Sequence, residues 1–138
     1  MLNVIPVYAH AGITGFESPA AEYRQLGLDL DELLIENPSA TFIGQAQGDS
    51  MTGVGIFDGD LLIVDRAAMA GSLDVIVANL NGCFVCKLFD RKAMVLLSPG
   101  LNHTPYPLGE GDQFEEEGIV VRSVRLHRYA KHLSKCMR

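Results

Sequence analysis

The feature that most constrains the fold is a hairpin signal in the middle of the chain. Two apolar runs, Asp74–Asn79 and Cys83–Phe89, flank the tripeptide Leu80-Asn81-Gly82. Asn-Gly readily adopts the positive φ angles of a two-residue hairpin turn, and between apolar runs it is a strong signal for antiparallel strands. The chain is therefore predicted to build its core on an antiparallel sheet.

Other short apolar segments, separated by turn residues, surround this hairpin. They predict strands at 41–47, 60–65, 93–97 and 118–126, with a short edge piece near Pro105 and Pro107. Helical signals are weaker: 29–37 has acids in its first turn and a proline after it, and 129–137 is amphipathic. The expected fold is mostly β, a sandwich or partly closed barrel of about seven strands with one short helix.

The size and composition are those of a single globular domain: 138 residues, of which 48% are hydrophobic and 20% charged. Residues 1–27 lack a clear period and contain glycines near their middle, so we expect a mobile N-terminal arm before a β-rich domain over 28–138. The N-terminus lacks the charged region of a secretory signal, and no apolar run is long enough to span a membrane. A cytoplasmic protein without membrane contact is expected.

The charge of the chain is unevenly distributed. The formal net charge is −6, which is unfavourable for binding duplex DNA through its phosphates. The last twenty residues nevertheless contain six basic residues and no acid: Arg122, Arg125, Arg128, Lys131, Lys135 and Arg138. A solvated face is the favoured interpretation, and a docking surface for an acidic partner or nucleic acid is the alternative.

Metal and redox chemistry are not expected. Three cysteines are an odd number, which argues against a disulfide framework. Cys83 and Cys86 lie in a predicted strand, where residues three apart point to opposite faces and cannot readily share a metal or a disulfide. The four histidines have no spacing typical of a triad or a metal site; they are His10, His103, His127 and His132. We predict neither a metal nor a cofactor.

A candidate nucleophile lies in the stretch Gln47–Gly53, where Ser50 stands between Gly48 and Gly53. Glycines permit the strained backbone and the close substrate approach that an exposed nucleophile needs. Serine in a turn rich in glycine and aspartate is, however, more often present for turn chemistry alone. The stretch by itself favours an ordinary turn.

Lys87 strengthens the case for Ser50. Its neighbours on both faces of the predicted strand are apolar: Phe84, Val85, Cys86, Leu88 and Phe89. An apolar environment disfavours the charged form of a lysine. Two interpretations follow: an edge-strand lysine whose amine reaches water, or a neutral amine that acts as general base toward a serine hydroxyl.

A resemblance to a known family joins these residues. In order and spacing, the chain is similar to the LexA/UmuD self-cleaving serine peptidases, and within them to the UmuD-like SOS mutagenesis proteins. The similar segments extend from about residue 12 to 128 and are 16–23, 28–35, 38–41, 48–51, 58–65, 74–78 and 84–88. The chain is too short for the N-terminal helix-turn-helix domain of LexA-like repressors, which indicates the UmuD branch.

The resemblance implies a fold of the LexA/UmuD type and a serine endopeptidase with a Ser-Lys dyad. Ser50 would be the nucleophile and Lys87 its base, and the backbone N–H groups of Asp49 and Ser50 would face the oxyanion. No cofactor is implied.

The resemblance also implies that the substrate is the protein's own N-terminal arm, which is cut before a glycine. The bond between Thr14 and Gly15 has the expected distance from the Ser50 motif. The bond between Ala11 and Gly12 is the alternative, because the family prefers alanine or cysteine before the glycine.

Three partners follow from the resemblance: a second copy of the chain, a RecA–single-stranded DNA filament that stimulates cleavage, and a UmuC-type Y-family DNA polymerase. The chain departs from the family in a shorter arm, in Leu73 where a glycine is usual, in an extra residue within 98–103 and in the basic tail. The shorter arm and the basic tail motivate an alternative, a non-catalytic dimeric accessory module of the polymerase that does not cleave itself efficiently.

Overall fold

A computed structural model describes residues 29–100 and 103–128. The predicted arm over 1–27, both candidate cleavage bonds and the helix predicted at 129–137 lie outside these residues. The chain divides into two compact units, 1–36 and 37–138. In the first, the described part is a short helix, α1 (Leu30–Leu34), capped at its N-terminus by the Asp29 carboxylate, which accepts from the N–H of Asp31 at 2.9 Å.

The second unit contains a seven-stranded antiparallel sheet. Its strands are β1 (Thr41–Gln45), β2 (Leu61–Asp65), β3 (Leu73–Leu80), β4 (Cys83–Asp90), β5 (Val95–Leu97), β6 (Tyr106–Pro107) and β7 (Phe114–Val124). Their spatial order is β1-β2-β7-β3-β4-β5-β6, and every neighbouring pair is antiparallel. The prediction of a mostly β fold with about seven strands and one short helix is confirmed. The sheet is open, with β1 and β6 at its two edges.

The predicted hairpin forms the centre of this sheet. Strands β3 and β4 pair over eight residues each, from Leu73 opposite Asp90 to Leu80 opposite Cys83. Asn81 and Gly82 make the turn with φ angles of 53° and 87°, as a two-residue hairpin requires. The register of β4, and therefore the position of each of its side chains, is fixed by this long pairing.

Two apolar clusters pack against the sheet. One combines residues of the β1–β2 connection with residues of β2, namely Ala46, Met51, Ile56, Leu62 and Val64. The other contains Ile76, Ala78, Phe89, Leu96 and Ile119. The first cluster matters most for the site, because it buries part of the connection that carries Ser50. No helix in the described part of the chain is long and apolar enough to cross a membrane.

Candidate active site

Ser50 lies in the connection between β1 and β2, which returns the chain from the edge of the sheet. Backbone hydrogen bonds close this connection at its base: the N–H of Ala46 donates to the carbonyl of Asp60 at 2.8 Å, and that of Gly59 donates to the carbonyl of Ala46 at 2.9 Å. Met51, directly after Ser50, is only 4% exposed within the first apolar cluster. Burial of Met51 therefore holds the serine at the surface of the core.

The turn around Ser50 is held mostly by local caps. Gly48 has a φ of +85°, which favours glycine, and its N–H donates to the carboxylate of Asp58 at 2.8 Å. The carbonyl of Asp49 accepts from the N–H of Thr52 at 3.3 Å and from its hydroxyl at 3.1 Å. No acceptor for the N–H groups of Asp49 and Ser50 occurs among the described residues.

The end of the connection is anchored by an ion pair between the buried Asp60 and the more exposed Arg125. Asp60 is 2% exposed and accepts from Arg125 Nε at 2.9 Å and Nη2 at 3.0 Å. Its carboxylate also accepts from the N–H of Phe57 at 2.8 Å, and the Arg125 guanidinium stacks over the Phe57 ring at 4.3 Å. The hydrogen bonds from Arg125 hold the pKa of Asp60 below its usual value, although burial opposes them.

Lys87 lies in the middle of β4, opposite the fully buried Ile76 of β3, and its side chain is partly buried. Its amine donates to the hydroxyl of Ser98 at 2.5 Å. Within the described residues it makes no hydrogen bond with Ser50. Ser98 was not among the residues predicted for the site.

Ser50 and Lys87 line one cavity of about 580 Å³. Its lining includes the apolar residues Met51 and Leu62 together with residues of the edge strand β1 and of β4. Ser98 is not among the residues that line it. The two residues predicted for the dyad therefore border one space of ligand size.

The other residues considered in the sequence occupy different roles. His103 Nε2 lies 3.1 Å from the carboxylate of Asp49, and His127 is exposed, whereas His10 and His132 lie outside the described residues. Cys83 and Cys86 are both free thiols, the first exposed and the second on the wall of the cavity.

The Cys86 thiol is a poor competitor for the role of nucleophile. Burial raises its pKa to about 11, even though the neighbouring Lys87 acts in the opposite direction. A thiol reacts as its thiolate, and a raised pKa makes that form scarce at neutral pH. Ser50 is the better candidate in this cavity.

Comparison with known proteins gives the family. The chain matches the family described as Peptidase S24-like over residues 6–121. It is 33% identical to protein SamA of Salmonella typhimurium over 126 residues, covering 91% of this chain and 89% of SamA. It is 42% identical to protein ImpA of Escherichia coli over 96 residues, covering 70% of this chain and 66% of ImpA. A LexA repressor of Shewanella sediminis is 32% identical over 109 residues, which cover 77% of this chain and 52% of the repressor.

The chain therefore belongs to the peptidase S24-like family, whose match spans most of its length. The similarity to SamA and ImpA, together with the partial coverage of the repressor, confirms the predicted resemblance to the UmuD-like branch of the LexA/UmuD proteins. It is a serine peptidase of the self-cleaving kind and an SOS mutagenesis protein.

Proposed function

We propose that Ser50 and Lys87 form a Ser-Lys dyad that removes the protein's own N-terminal arm. The observation that carries this proposal is that both residues line the same cavity, although 36 residues separate them in the chain. The edge strand β1 borders that cavity and leaves an edge to which no described strand is paired. An extended peptide has access to such a site along this edge.

The reaction divides the work between the two residues. The neutral amine of Lys87 accepts the proton of the Ser50 hydroxyl as Oγ attacks the carbonyl carbon of the scissile bond. The tetrahedral intermediate then breaks its C–N bond, and the Lys87 ammonium returns the proton to the departing amine. Water, deprotonated by the same amine, hydrolyses the acyl-enzyme and restores the Ser50 hydroxyl.

The oxyanion of the intermediate needs donors that are already in place. The N–H groups of Asp49 and Ser50, which have no acceptor in the described part of the chain, are suited to this role. Donors of this kind contribute to the rate because they meet the charge that develops in the transition state without further reorganisation.

For the bond itself we favour Thr14–Gly15, with Ala11–Gly12 as the alternative. The proposal also includes two partners. A RecA–single-stranded DNA filament stimulates the cleavage, and the shortened homodimer then binds a UmuC-type Y-family polymerase. The similarity to SamA and ImpA supports this part of it.

The test is self-cleavage in the presence of a RecA–single-stranded DNA filament, followed by intact mass spectrometry. We expect a product that begins at Gly15, or at Gly12 for the alternative bond. Ser50→Ala should give none, whereas the matched control Ser72→Ala, at an exposed serine, should cleave like the wild type. A filament that leaves the wild type intact would contradict this function.

The second candidate is the non-catalytic polymerase-accessory module. It is favoured by two features of the sequence, the shorter arm and the six basic residues among the last twenty. Here Ser50→Ala would retain polymerase binding, and neutralising the basic tail would abolish it. Arg125 is unsuitable for that neutralisation because it pairs with the buried Asp60. Arg128, which is exposed, is the better position, and polymerase binding that survives Arg128→Gln would count against a role for this part of the tail.

A further inference from the structure

We propose that Ser98 is a positioning residue for Lys87 and that the segment 98–100 couples the lysine to the Ser50 turn. This inference rests on the proposed function, because the lysine it orients is the proposed base. The starting observation is the 2.5 Å hydrogen bond in which the Lys87 amine donates to the Ser98 hydroxyl.

The position of Ser98 follows from the pairing of β4 with β5. The last pair in this ladder is Leu88 opposite Leu97, and the same antiparallel register places the next residue, Ser98, opposite Lys87. Directly opposite residues lie on the same face of a sheet and their side chains meet. Pro99 favours an extended backbone at the residue before it, which continues the direction of β5 through Ser98.

The segment then turns directly toward the nucleophile. The N–H of Gly100 donates to the carbonyl of Ser98 at 2.8 Å, which closes a tight turn. A methyl group on Gly53 would collide with the carbonyl oxygen of Pro99, and one on Gly100 would collide with the carbonyl oxygen of Asp49. The segment 98–100 is thus packed backbone-to-backbone against the turn that carries Ser50.

These contacts have a chemical consequence for the lysine. A lysine amine on its flexible four-carbon stem samples many positions, and fixing it costs conformational entropy. By accepting one N–H, the Ser98 hydroxyl restricts the amine to the face of the sheet that Lys87 shares with Ser98, and it leaves the lone pair of the neutral amine free to accept the Ser50 proton. Because the segment 98–100 contacts the Ser50 turn, the Lys87 amine is held at a defined position relative to that turn.

Ser98 is distinguished from a nucleophile by its location. Ser50 and Lys87 line the cavity in which a peptide would bind, and Ser98 does not. Its hydroxyl therefore contacts the amine from outside the space available to a substrate, as a positioning residue does.

The first experiment compares two variants of nearly equal shape in the full chain. Ser98→Thr keeps a hydroxyl, and Ser98→Val replaces it with a methyl group. We expect Ser98→Val to slow Ser50-dependent self-cleavage about tenfold to a hundredfold, because misplacement of a catalytic group by about 1 Å has an effect of that size. Ser98→Thr should retain most of the wild-type rate. Thermal unfolding of both variants verifies that they are folded, and equal cleavage rates in the pair would overturn the inference.

The second experiment does not require cleavage. In Ser50→Ala protein labelled with ¹⁵N-lysine, the Lys87 ammonium signal is assigned by its loss in Lys87→Arg, and its proton exchange with water is measured by NMR. We expect slow proton exchange in the Ser50→Ala protein and in the Ser50→Ala protein that also carries Ser98→Thr. We expect fast exchange in the Ser50→Ala protein that also carries Ser98→Val. Equal exchange rates in the Ser98→Thr and Ser98→Val proteins would overturn the inference. Slow exchange in the parent, combined with no cleavage by the wild type, would contradict the proposed function and leave the Ser98 contact standing.

Discussion

The two halves of the candidate site are built by different means. Lys87 stands in a regular strand whose register is fixed by eight consecutive pairs with β3. Ser50 stands in an irregular connection that depends on side-chain caps from Asp58 and Asp60 and on a close backbone approach at Gly53. The lysine half is therefore expected to tolerate substitution around it, whereas the serine half depends on a few individual contacts.

The largest expected effect comes from the lysine itself. Lys87→Met removes the amine while retaining an unbranched side chain of similar length, so the fold should be kept. We expect self-cleavage to fall by about a thousandfold or more, as it does when a member of a nucleophile–base pair is removed. The exposed Lys92 provides the control, and Lys92→Met should cleave at the wild-type rate. A Lys87→Met protein that cleaves at even a tenth of that rate would rule out the lysine as base.

The next effect tests the ion pair that anchors the serine half. Arg125→Met leaves the buried Asp60 carboxylate without its guanidinium partner, so the midpoint of thermal unfolding at neutral pH should fall by several degrees. Arg128→Met, three residues later and exposed, should have little effect.

The difference in unfolding midpoint between the wild type and Arg125→Met should change with pH in a defined direction. Arg125 holds the pKa of Asp60 below the value that an aspartate has in the unfolded chain. The stabilisation is therefore present above the ordinary aspartate pKa of about 3.9 and is lost as the pH falls below it. The melting temperatures of wild type and Arg125→Met should converge in acid. A gap that stays constant down to about pH 3 would show that Asp60 ionisation is not its source.

A smaller effect is expected where the serine turn meets the 98–100 segment. Gly53→Ala introduces a methyl group against the Pro99 carbonyl, which should reduce the free energy of unfolding by about 1–3 kcal/mol and slow self-cleavage. Gly111→Ala is the matched control, because a methyl group there has no atom within 4 Å. Denaturant unfolding and cleavage assays of the two variants check this, and similar behaviour would refute the proposed close packing.

The smallest effect is expected in the hairpin that supports the lysine half. Gly82→Ala places a side chain at a φ of 87°, which should cost about 1 kcal/mol of stability. Since the eight pairs of β3 and β4 remain, the cleavage rate of the folded protein should be unchanged. A marked loss of cleavage in folded Gly82→Ala protein would show that the lysine half is less robust than its pairing suggests.

The regular part of this molecule could be predicted from its sequence because local signals agree with the tertiary structure. Asn81 and Gly82 are chemically suited to their turn, and the apolar runs on each side extend as the strands β3 and β4. The separation of Ser50 from Lys87 gave no geometric information by itself. The apolar neighbours of Lys87 made it one candidate base for a serine, and the resemblance to a family then paired Ser50 and Lys87 in one dyad.

What the sequence did not predict depends on contacts between distant segments. Ser98 was not predicted for the site, because nothing local shows that it continues the register of β5 and lies opposite Lys87. Arg125 was counted with a solvated basic tail, and only the folded chain brings it to the buried Asp60, 65 positions away.

The most direct test of the dyad is spontaneous cleavage without any other protein. At about pH 10, where lysine amines are more often neutral, purified full-length protein is incubated and its mass is measured over time. The wild type is predicted to lose residues 1–14 or 1–11, and Ser50→Ala is predicted to remain intact under the same conditions. Identical behaviour of the two proteins, either both cleaved or both intact, would contradict the assignment of Ser50 as the nucleophile activated by Lys87.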